Sequence, residues 1–287
     1  MAVLEIRSEH SCYGGLQGFY THDSTMTGTK MNVSVFVPSA AAHAPVPALY
    51  FLPGLTCTDE TFMLKAGAQR HAEELGLVLV SCDTSPRGLG YAGDADHWDF
   101  GVGAGFYLDA TQAPWSNGYS MSGYVNFELP TLIENNFPVI KDKKGIFGHS
   151  MGGHGALVSA FRHPTKWQSV SALAPICNPI NVPWGQKAFA NYLGNDPDRW
   201  ADWDASVLMS TRAYPQEILI DQGEQDQFLE RELQPDALIN AATASGQKLK
   251  LRRHSGYDHS YWFIQTFIRD HIEHHATILL NGVNNEH

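Results

Sequence analysis

Short apolar runs rich in β-branched residues recur along this chain, and stretches with helical spacing separate most of them. Parallel strands joined by crossover helices produce this alternation, so the sequence predicts an α/β fold whose central, mostly parallel sheet carries helices on both faces. The predicted strands are 33–37, 48–52, 77–81, 144–148, 169–174, 217–221 and 248–252. The predicted helices are 61–75, 126–136, 152–162, 184–194, 229–245 and 260–280.

Two irregular segments bear on the domain organisation of the 287 residues. The segment between Asp83 and Trp115 is rich in glycine, aspartate and aromatic residues, and a loop of that size within a compact domain is usually functional. The segment 40–47 has the composition of a surface turn between two early strands. Since neither segment has the character of a linker between domains, we expect residues 1–287 to form a single domain.

The charge balance and the apolar runs limit the partners of this chain. Nineteen Lys and Arg stand against thirty Asp and Glu, which gives a formal net charge of −11. Binding to nucleic-acid phosphates needs clustered Lys and Arg, so we expect no nucleic-acid partner. The first residues lack the apolar core of a signal peptide, and no later run approaches the roughly 20 apolar residues of a membrane span. We therefore expect no membrane association and a cytoplasmic location.

The segment Gly148-His149-Ser150-Met151-Gly152 matches the G-x-S-x-G pattern of a nucleophile elbow. In such an elbow the serine occupies a tight, strained turn between a strand and a helix, where Cβ atoms at the flanking positions would collide with neighbouring elements. A predicted strand precedes this segment and a predicted helix follows it, as the elbow requires. The sequence therefore predicts that Ser150 is a catalytic nucleophile.

A serine hydroxyl needs a base at neutral pH, and the base needs a third group that fixes its tautomer. With this type of elbow the chain order is serine, then acid, then histidine. Asp221, Glu224 and Asp226 are the candidate acids near the end of a later strand, and Asp226 is favoured because it falls in the loop after that strand. His259, in a polar loop before the last helix, is the favoured base, and His254 is the alternative.

The oxyanion of the tetrahedral intermediate needs two preorganised N–H donors. One donor is expected to be the backbone N–H of Met151, directly after the nucleophile, and the other should come from the loop after an early central strand. In that loop Pro53 has no N–H, so Gly54 or Leu55 must donate, and we favour Leu55. Cys57 lies in the same loop, where we expect a small buried side chain that shapes the loop.

Cysteine and histidine patterns give no metal signal. The four cysteines are widely spaced and form no Cys-x-x-Cys pair, which predicts free thiols; they are Cys12, Cys57, Cys82 and Cys177. His271 and His275 share a helix face, but their segment H-I-E-H-H matches neither H-E-x-x-H nor H-x-x-E-H. We expect no metal site and no organic cofactor, and we expect these histidines to lie at a solvated helix end.

Several longer segments together resemble the S-formylglutathione hydrolase family, also called the esterase D family, of the α/β-hydrolase fold. The resemblance spans most of the chain after about residue 50, and the matching segments are 54–62, 98–111, 147–157, 174–189, 218–228 and 256–264. It implies a catalytic triad of Ser150, Asp226 and His259, in agreement with the choice made from chain order. The chain departs from the family at Pro53, where the family more often has serine.

The resemblance also implies functions for the loop that contains Pro53. The family's oxyanion donors correspond to the N–H groups of Leu55 and Met151. Its cysteine close to the active site corresponds to Cys57, which lies near the chemistry without a catalytic role. The implied reaction is hydrolysis of S-formylglutathione to formate and glutathione, the closing step of glutathione-dependent formaldehyde detoxification, by a homodimer.

Without the resemblance, the residues indicate only a serine esterase or thioesterase. A general carboxylesterase for short acyl esters and a catalytically silent binding protein of the same fold remain alternatives.

The substrate implied by the resemblance also bears on the pocket. Because a formyl group is minute, we expect a narrow acyl pocket walled by four aromatic residues: Trp98, Phe106, Trp115 and Trp184. Glutathione carries two carboxylates, so an acidic protein needs local positive charge to hold it, and Lys187 and Arg87 are the candidates.

Overall fold

The structure is a computed structural model that describes residues 3–280. Within these residues nine strands form one sheet. The strands are β1 (Glu5–Cys12), β2 (Gly15–Asp23), β3 (Lys30–Val37), β4 (Val46–Leu52), β5 (Val78–Cys82), β6 (Val139–His149), β7 (Ser169–Leu173), β8 (Ile218–Gly223) and β9 (Leu249–His254).

The strand order in the sheet is β1-β2-β3-β5-β4-β6-β7-β8-β9. The first three neighbouring pairs are antiparallel, and every pair from β5 to β9 is parallel. This arrangement confirms the predicted α/β class with a mostly parallel sheet. All seven predicted strands are present, within a few residues of their predicted bounds. The antiparallel hairpin of β1 and β2 was not predicted.

The helices alternate with the parallel strands. They are α1 (Asp59–Lys65), α2 (Ala68–Leu75), α3 (Met121–Gly123), α4 (Leu129–Asn136), α5 (Met151–Arg162), α6 (Pro183–Leu193), α7 (Pro197–Ala201), α8 (Ala205–Thr211), α9 (Asp236–Ser245) and α10 (Tyr261–Leu280). Two π-helical turns, Tyr124–Glu128 and Leu229–Leu233, adjoin α4 and α9, and 3₁₀ turns span Ser39–Ala42, Trp115–Asn117 and Pro179–Asn181. None of the helices within residues 3–280 is long and apolar enough to cross a membrane.

Helices cover both faces of the sheet, as the side chains of β7 show. Successive residues of a strand point to opposite faces. On one face, the Ser171 hydroxyl is hydrogen-bonded to His275 of α10. Its neighbour Ala172 lies on the other face, where its Cβ would be 3.2 Å from a Cβ added to Gly153 of α5. The sheet is therefore the middle of three layers, and its apolar strands are buried on both sides.

Two predicted helices are interrupted in the structure. The predicted helix 61–75 consists of α1 and α2, which Gly67 separates with a φ of 66°. The predicted helix 229–245 consists of the π-helical turn and α9, and between them Gln234 has a φ of 48° and is followed by Pro235. In both places one residue in the left-handed region ends the first helix, although the apolar spacing continues across it.

The expectation of a solvated helix end at His271 and His275 is wrong, because both side chains are fully buried under α10. His275 is hydrogen-bonded to Ser169 (2.6 Å) and Ser171 (2.9 Å). His271 is hydrogen-bonded to Ser171 (2.8 Å) and to Asp221 (3.2 Å). Polar positions on β7 and β8 satisfy these rings, so the two histidines belong to the interior between helix and sheet.

Candidate active site

Ser150 lies at the turn between β6 and α5 with a φ of 58° and a ψ of −121°, a conformation that non-glycine residues rarely adopt. The glycines on either side of it have no room for a side chain. A Cβ on Gly148 would lie 2.3 Å from the carbonyl oxygen of Gly152, and a Cβ on Gly152 would lie 1.8 Å from that of Leu52. The pattern of glycines thus exists because the turn packs against β4, as the sequence predicts for a nucleophile elbow.

Asp226 and His259 form a buried pair. The imidazole Nδ1 of His259 lies 2.5 Å from Oδ2 of Asp226, whose side chain has no solvent exposure. The carboxylate also accepts hydrogen bonds from the Gln222 side chain (3.2 Å) and from the backbone N–H of Phe228 (2.9 Å). Because a carboxylate can only accept, Nδ1 carries the proton and Nε2 presents a lone pair that can take one from a nucleophile.

The loops that follow β8 and β9 are bonded to each other, and this brings Asp226 and His259 together. The N–H of Glu224 donates to the carbonyl oxygen of His254 (3.0 Å), and the N–H of Gln225 donates to that of Tyr257 (2.9 Å). Gly223 permits this close approach, because a Cβ there would lie 2.4 Å from the Tyr257 carbonyl oxygen. Thirty-three residues separate the acid and the histidine in sequence, and the neighbouring parallel strands place their loops at one edge of the sheet.

Ser150 and His259 line the same cavity, which has a volume of about 200 Å³. Of the hydrogen bonds within residues 3–280, none joins the Ser150 hydroxyl to His259. Such bonds are often long before substrate binds and tighten in the substrate complex. The other residues that line the cavity are Gly54, Leu55, Cys57, Trp98, His149, Trp184, Phe228 and Tyr261.

The two N–H groups predicted as oxyanion donors are without a hydrogen-bond acceptor in the part of the chain that the structure describes, and so is the N–H of Gly54, the alternative donor. The two predicted donors belong to Met151, the first residue of α5, and to Leu55. The loop that carries Leu55 is fixed on either side of it: Tyr107 donates its hydroxyl hydrogen to the carbonyl oxygen of Pro53 (2.7 Å), and the N–H of Thr56 donates to Gly103 (2.9 Å). Both N–H groups are thus available to an oxyanion in this cavity.

His149 is a residue of the cavity that the sequence analysis names only as part of the G-x-S-x-G segment. Its ring centroid lies 4.4 Å from that of His259, and its Nε2 is buried without a hydrogen-bond partner within residues 3–280. Burial, together with the nearby His259, lowers the pKa of His149 well below its usual range. A neutral ring therefore packs against the predicted base. The G-x-S-x-G pattern places a residue here without revealing that its side chain faces the histidine.

The aromatic residues predicted to wall the pocket divide into two pairs. Trp98 and Trp184 line the cavity, with their ring centroids 5.4 Å apart. Phe106 and Trp115 are buried and do not line it: Phe106 packs against Phe189, and Trp115 packs against an aromatic group elsewhere in the core. That group consists of Tyr91, Phe100, Tyr119 and Tyr192.

The two predicted cationic residues are both paired with carboxylates. Arg87 lies outside the cavity, where its guanidinium donates to Asp83 (3.1 Å) and to the carbonyl oxygen of Cys57 (3.1 Å). Arg87 thus supports the loop that contains Cys57. Lys187 lies near the mouth, where its Nζ is 2.6 Å from Asp99.

One alternative acid, Asp221, and the alternative base, His254, lie in a separate network, whereas the other alternative acid, Glu224, is exposed. Asp221 is bound by Arg252, with Nε–Oδ1 and Nη2–Oδ2 distances of 2.6 and 2.5 Å, and by His271. His254 Nε2 is 3.2 Å from Asp221, and its ring stacks on Phe267. Burial opposes ionisation of Asp221, but the hydrogen bonds from His271 and Arg252 outweigh it and lower its pKa. Neither Asp221 nor His254 lines the cavity.

Cys57 lines the cavity as a free thiol. The other three cysteines are also free. Burial raises the pKa of the Cys57 thiol, which disfavours the reactive thiolate. Within residues 3–280, no group of three or more His, Cys, Asp or Glu side chains is arranged to hold a metal ion.

Comparisons with known proteins agree on one family. Residues 24–274 match the family described as "Putative esterase". The chain is 51% identical over 274 residues to S-formylglutathione hydrolase of the rat, Rattus norvegicus, covering 95% of this chain and 97% of the relative. It is 50% identical to the mouse enzyme, Mus musculus, over 281 residues, covering 97% and 99%.

A solved structure agrees with these relatives. The S-formylglutathione hydrolase of Agrobacterium tumefaciens superposes with a TM-score of 0.92 at 44% identity, covering 96% of this chain and 99% of that one. Fold and sequence therefore point to the same group of hydrolases.

Proposed function

The chain belongs to the S-formylglutathione hydrolase family, and from this premise we propose that it hydrolyses the thioester S-formylglutathione to formate and glutathione, with side activity on short-chain esters. One observation carries the proposal at the level of chemistry: a serine in a strained elbow shares its cavity with a histidine whose Nδ1 is bound to a buried carboxylate. This constellation is the one that nucleophilic acyl transfer needs.

In the first half of the reaction, Ser150 Oγ attacks the formyl carbon while Nε2 of His259 takes the hydroxyl proton. The Asp226 carboxylate stabilises the imidazolium and holds its ring orientation. The carbonyl oxygen becomes an oxyanion, to which the N–H groups of Leu55 and Met151 donate. The carbon–sulfur bond then breaks, His259 gives its proton to the sulfur, and glutathione leaves with the formyl group bound to Ser150.

In the second half, water attacks the formyl ester. His259 takes a proton from the water, the same two N–H groups stabilise the second oxyanion, and His259 returns the proton to Ser150 Oγ as formic acid leaves. The formic acid loses its remaining proton to solvent and becomes formate. Every proton transfer that the enzyme catalyses passes through one imidazole. No metal or organic cofactor enters any step.

The cavity supports a small acyl group and a bulkier leaving group. Its volume of about 200 Å³ is small for a ligand site, and Trp98, Trp184 and Phe228 crowd its mouth. A formyl group fits beside the serine, whereas the peptide part of the substrate must extend outward past these rings. The exposed fraction of Trp98, 55%, leaves one wall open to solvent.

We also infer the setting of this activity. The family resemblance supports a homodimer and a place in formaldehyde detoxification. The net charge of −11 argues against a nucleic-acid partner, and a glutathione substrate agrees with a cytoplasmic location.

The test is release of glutathione from S-formylglutathione by the purified protein, with Ser150→Ala as the control. We expect turnover by the wild type and none above background by the variant. A second measurement compares kcat/KM for S-formylglutathione with kcat/KM for a short aryl acetate. A strong preference for the thioester excludes a general carboxylesterase. Equal hydrolysis by Ser150→Ala would revive the binding-protein alternative.

A further inference from the structure

A second cavity, which we call the outer groove, adjoins the catalytic cavity. Its volume is about 420 Å³, and its lining consists of Trp98, Asp99, Pro183, Trp184, Lys187, Gln227, Phe228, Arg231 and Glu232. Trp98, Trp184 and Phe228 line both cavities. The centroid of the Phe228 ring lies 5.1 Å from that of His259 and 4.7 Å from that of Trp184. The outer groove is therefore next to the catalytic histidine.

The two cations of the outer groove differ in what already holds them. Lys187 is committed to Asp99, with an Nζ–Oδ1 distance of 2.6 Å and only 33% of its side chain exposed. Arg231 has 77% of its side chain exposed, and its nearest carboxylate contact is an Nε–Oε1 distance of 3.4 Å to Glu232. No hydrogen bond among residues 3–280 uses its terminal nitrogens. Its guanidinium can therefore take a carboxylate in the two-bonded geometry that arginine favours.

Arg231 stands one helical turn beyond the catalytic mouth. It lies three residues after Phe228 in the π-helical turn Leu229–Leu233, which begins shortly after Asp226. The turn is pinned by Glu232, whose carboxylate accepts the N–H of Trp184 at the start of α6 (2.9 Å). These contacts connect Arg231 to the loop that carries Asp226 and to Trp184. A leaving group that extends past Trp184 therefore reaches Arg231.

The charges of the groove match one end of glutathione better than the other. Two cations, Lys187 and Arg231, stand beside two carboxylates, Asp99 and Glu232. The γ-glutamyl end of glutathione carries one ammonium and one carboxylate, whereas the glycine end carries a carboxylate alone. Asp99 uses Oδ1 for Lys187, which leaves Oδ2 for an ammonium. A lone carboxylate could also bind Arg231, but it would bring no cation to Oδ2 of Asp99 and would be repelled by the two acidic groups.

We propose that the outer groove binds the γ-glutamyl end of the glutathione moiety, with Arg231 holding its α-carboxylate and Asp99 facing its ammonium. This inference rests on the proposed function, because it takes glutathione to be the leaving group. It makes Arg231 a specificity-determining residue, whereas Lys187 positions Asp99 and the adjacent Trp98.

The experiment compares two thioesters in wild type and Arg231→Gln. One is S-formylglutathione. The other is S-formyl-N-acetylcysteinylglycine, which keeps the glycine carboxylate, lacks the γ-glutamyl zwitterion, and has a blocked nitrogen so that the formyl group cannot migrate from sulfur. We expect Arg231→Gln to lower the ratio of kcat/KM for the first substrate to that for the second about 10-fold, mainly through KM.

The controls separate charge, geometry and folding. Arg231→Lys keeps the charge but loses the paired donors, and it should give an intermediate ratio. Arg70→Gln removes an arginine of similar exposure, 66%, on α2 outside both cavities, and it should keep the wild-type ratio. An unchanged ratio in Arg231→Gln, or an equal loss on both thioesters, overturns the inference. Absence of glutathione release by the wild type itself would instead overturn the proposed function.

Discussion

Substitution of Gly152 by alanine tests whether the elbow and the oxyanion loop form one packed unit. A Cβ at this position would lie 1.8 Å from the carbonyl oxygen of Leu52, whereas real Cβ atoms essentially never approach within 3.0 Å, so β4 and α5 must separate by at least 1.2 Å. The next atoms in its path are the carbonyl carbon of Leu52 and the oxygen of Pro53. Leu55 follows Pro53 after only one residue, Gly54, so the shift moves a proposed oxyanion donor out of place.

Two magnitudes follow from that displacement. Overpacking costs about 1–3 kcal/mol, and the better helix propensity of alanine returns about 1 kcal/mol, so we expect the free energy of unfolding to fall by about 0–2 kcal/mol. Loss of one aligned donor typically lowers kcat about 100 to 1,000-fold. The folded variant should therefore be much more impaired in catalysis than in stability.

The assay is kcat for an aryl acetate together with urea unfolding, and Gly153→Ala is the matched control. Gly153 is the next residue of the same helix. A Cβ there would lie 2.9 Å from Pro175 Cβ, 3.1 Å from Pro175 Cα and 3.2 Å from Ala172 Cβ, so it needs a much smaller shift than a Cβ at Gly152. We expect Gly153→Ala to keep kcat within about 10-fold of wild type. A kcat for Gly152→Ala within threefold of wild type would refute the packing argument.

Further predictions concern the two acids and the effect of pH. Asp226→Asn should lower kcat about 10,000-fold because an amide no longer fixes the His259 tautomer, and a kcat within 10-fold of wild type would exclude Asp226 as the acid. Asp221→Asn should instead lower the free energy of unfolding by about 3 kcal/mol, measured in urea at pH 7, and leave kcat of the folded protein within threefold, since it breaks the buried pair with Arg252. The pKa of Asp221 is lowered in the folded state, so its stabilising effect is complete above its ordinary pKa of about 3.9 and is lost as the pH falls further. The difference in free energy of unfolding between wild type and Asp221→Asn should therefore shrink below about pH 4. Burial lowers the pKa of His154 to about 4 and that of His275 well below 6.5, so the unfolded chain binds more protons at mildly acid pH. Lowering the pH from 7 to 5 should reduce the free energy of unfolding by about 2 kcal/mol for each such histidine, and equal unfolding curves at the two pH values would contradict this.

The parallel core of the fold was predictable because its strands are buried on both faces and therefore appear as continuous apolar runs. The edge hairpin was not, since β1 is mostly exposed and its sequence EIRSEHSC contains no apolar run. The breaks at Gly67 and Gln234 also escaped, because apolar spacing continues across a single residue of positive φ.

In the site, chain order and loop position selected Ser150, Asp226 and His259, and the structure brings all three to one edge of the sheet. The directions of loop side chains were beyond sequence reasoning. Phe106 and Trp98 both belong to the long loop after β5, yet one turns into the core and the other faces the cavity. Arg231 was missed because an arginine within a predicted helix looks like an ordinary solvated residue; its spacing of three from Phe228, next to the acid loop, was the available signal.

The central claim is that Ser150 forms the covalent acyl-enzyme. Its most direct test is to mix the protein with an aryl acetate, quench in acid during the first turnover, and locate the acetyl group by mass spectrometry of tryptic peptides. The account predicts one acetyl group on Ser150 within peptide 145–162, present in Cys57→Ala and absent in Ser150→Ala. An acetyl group on Cys57, or wild-type turnover with no acetyl on Ser150, would contradict it.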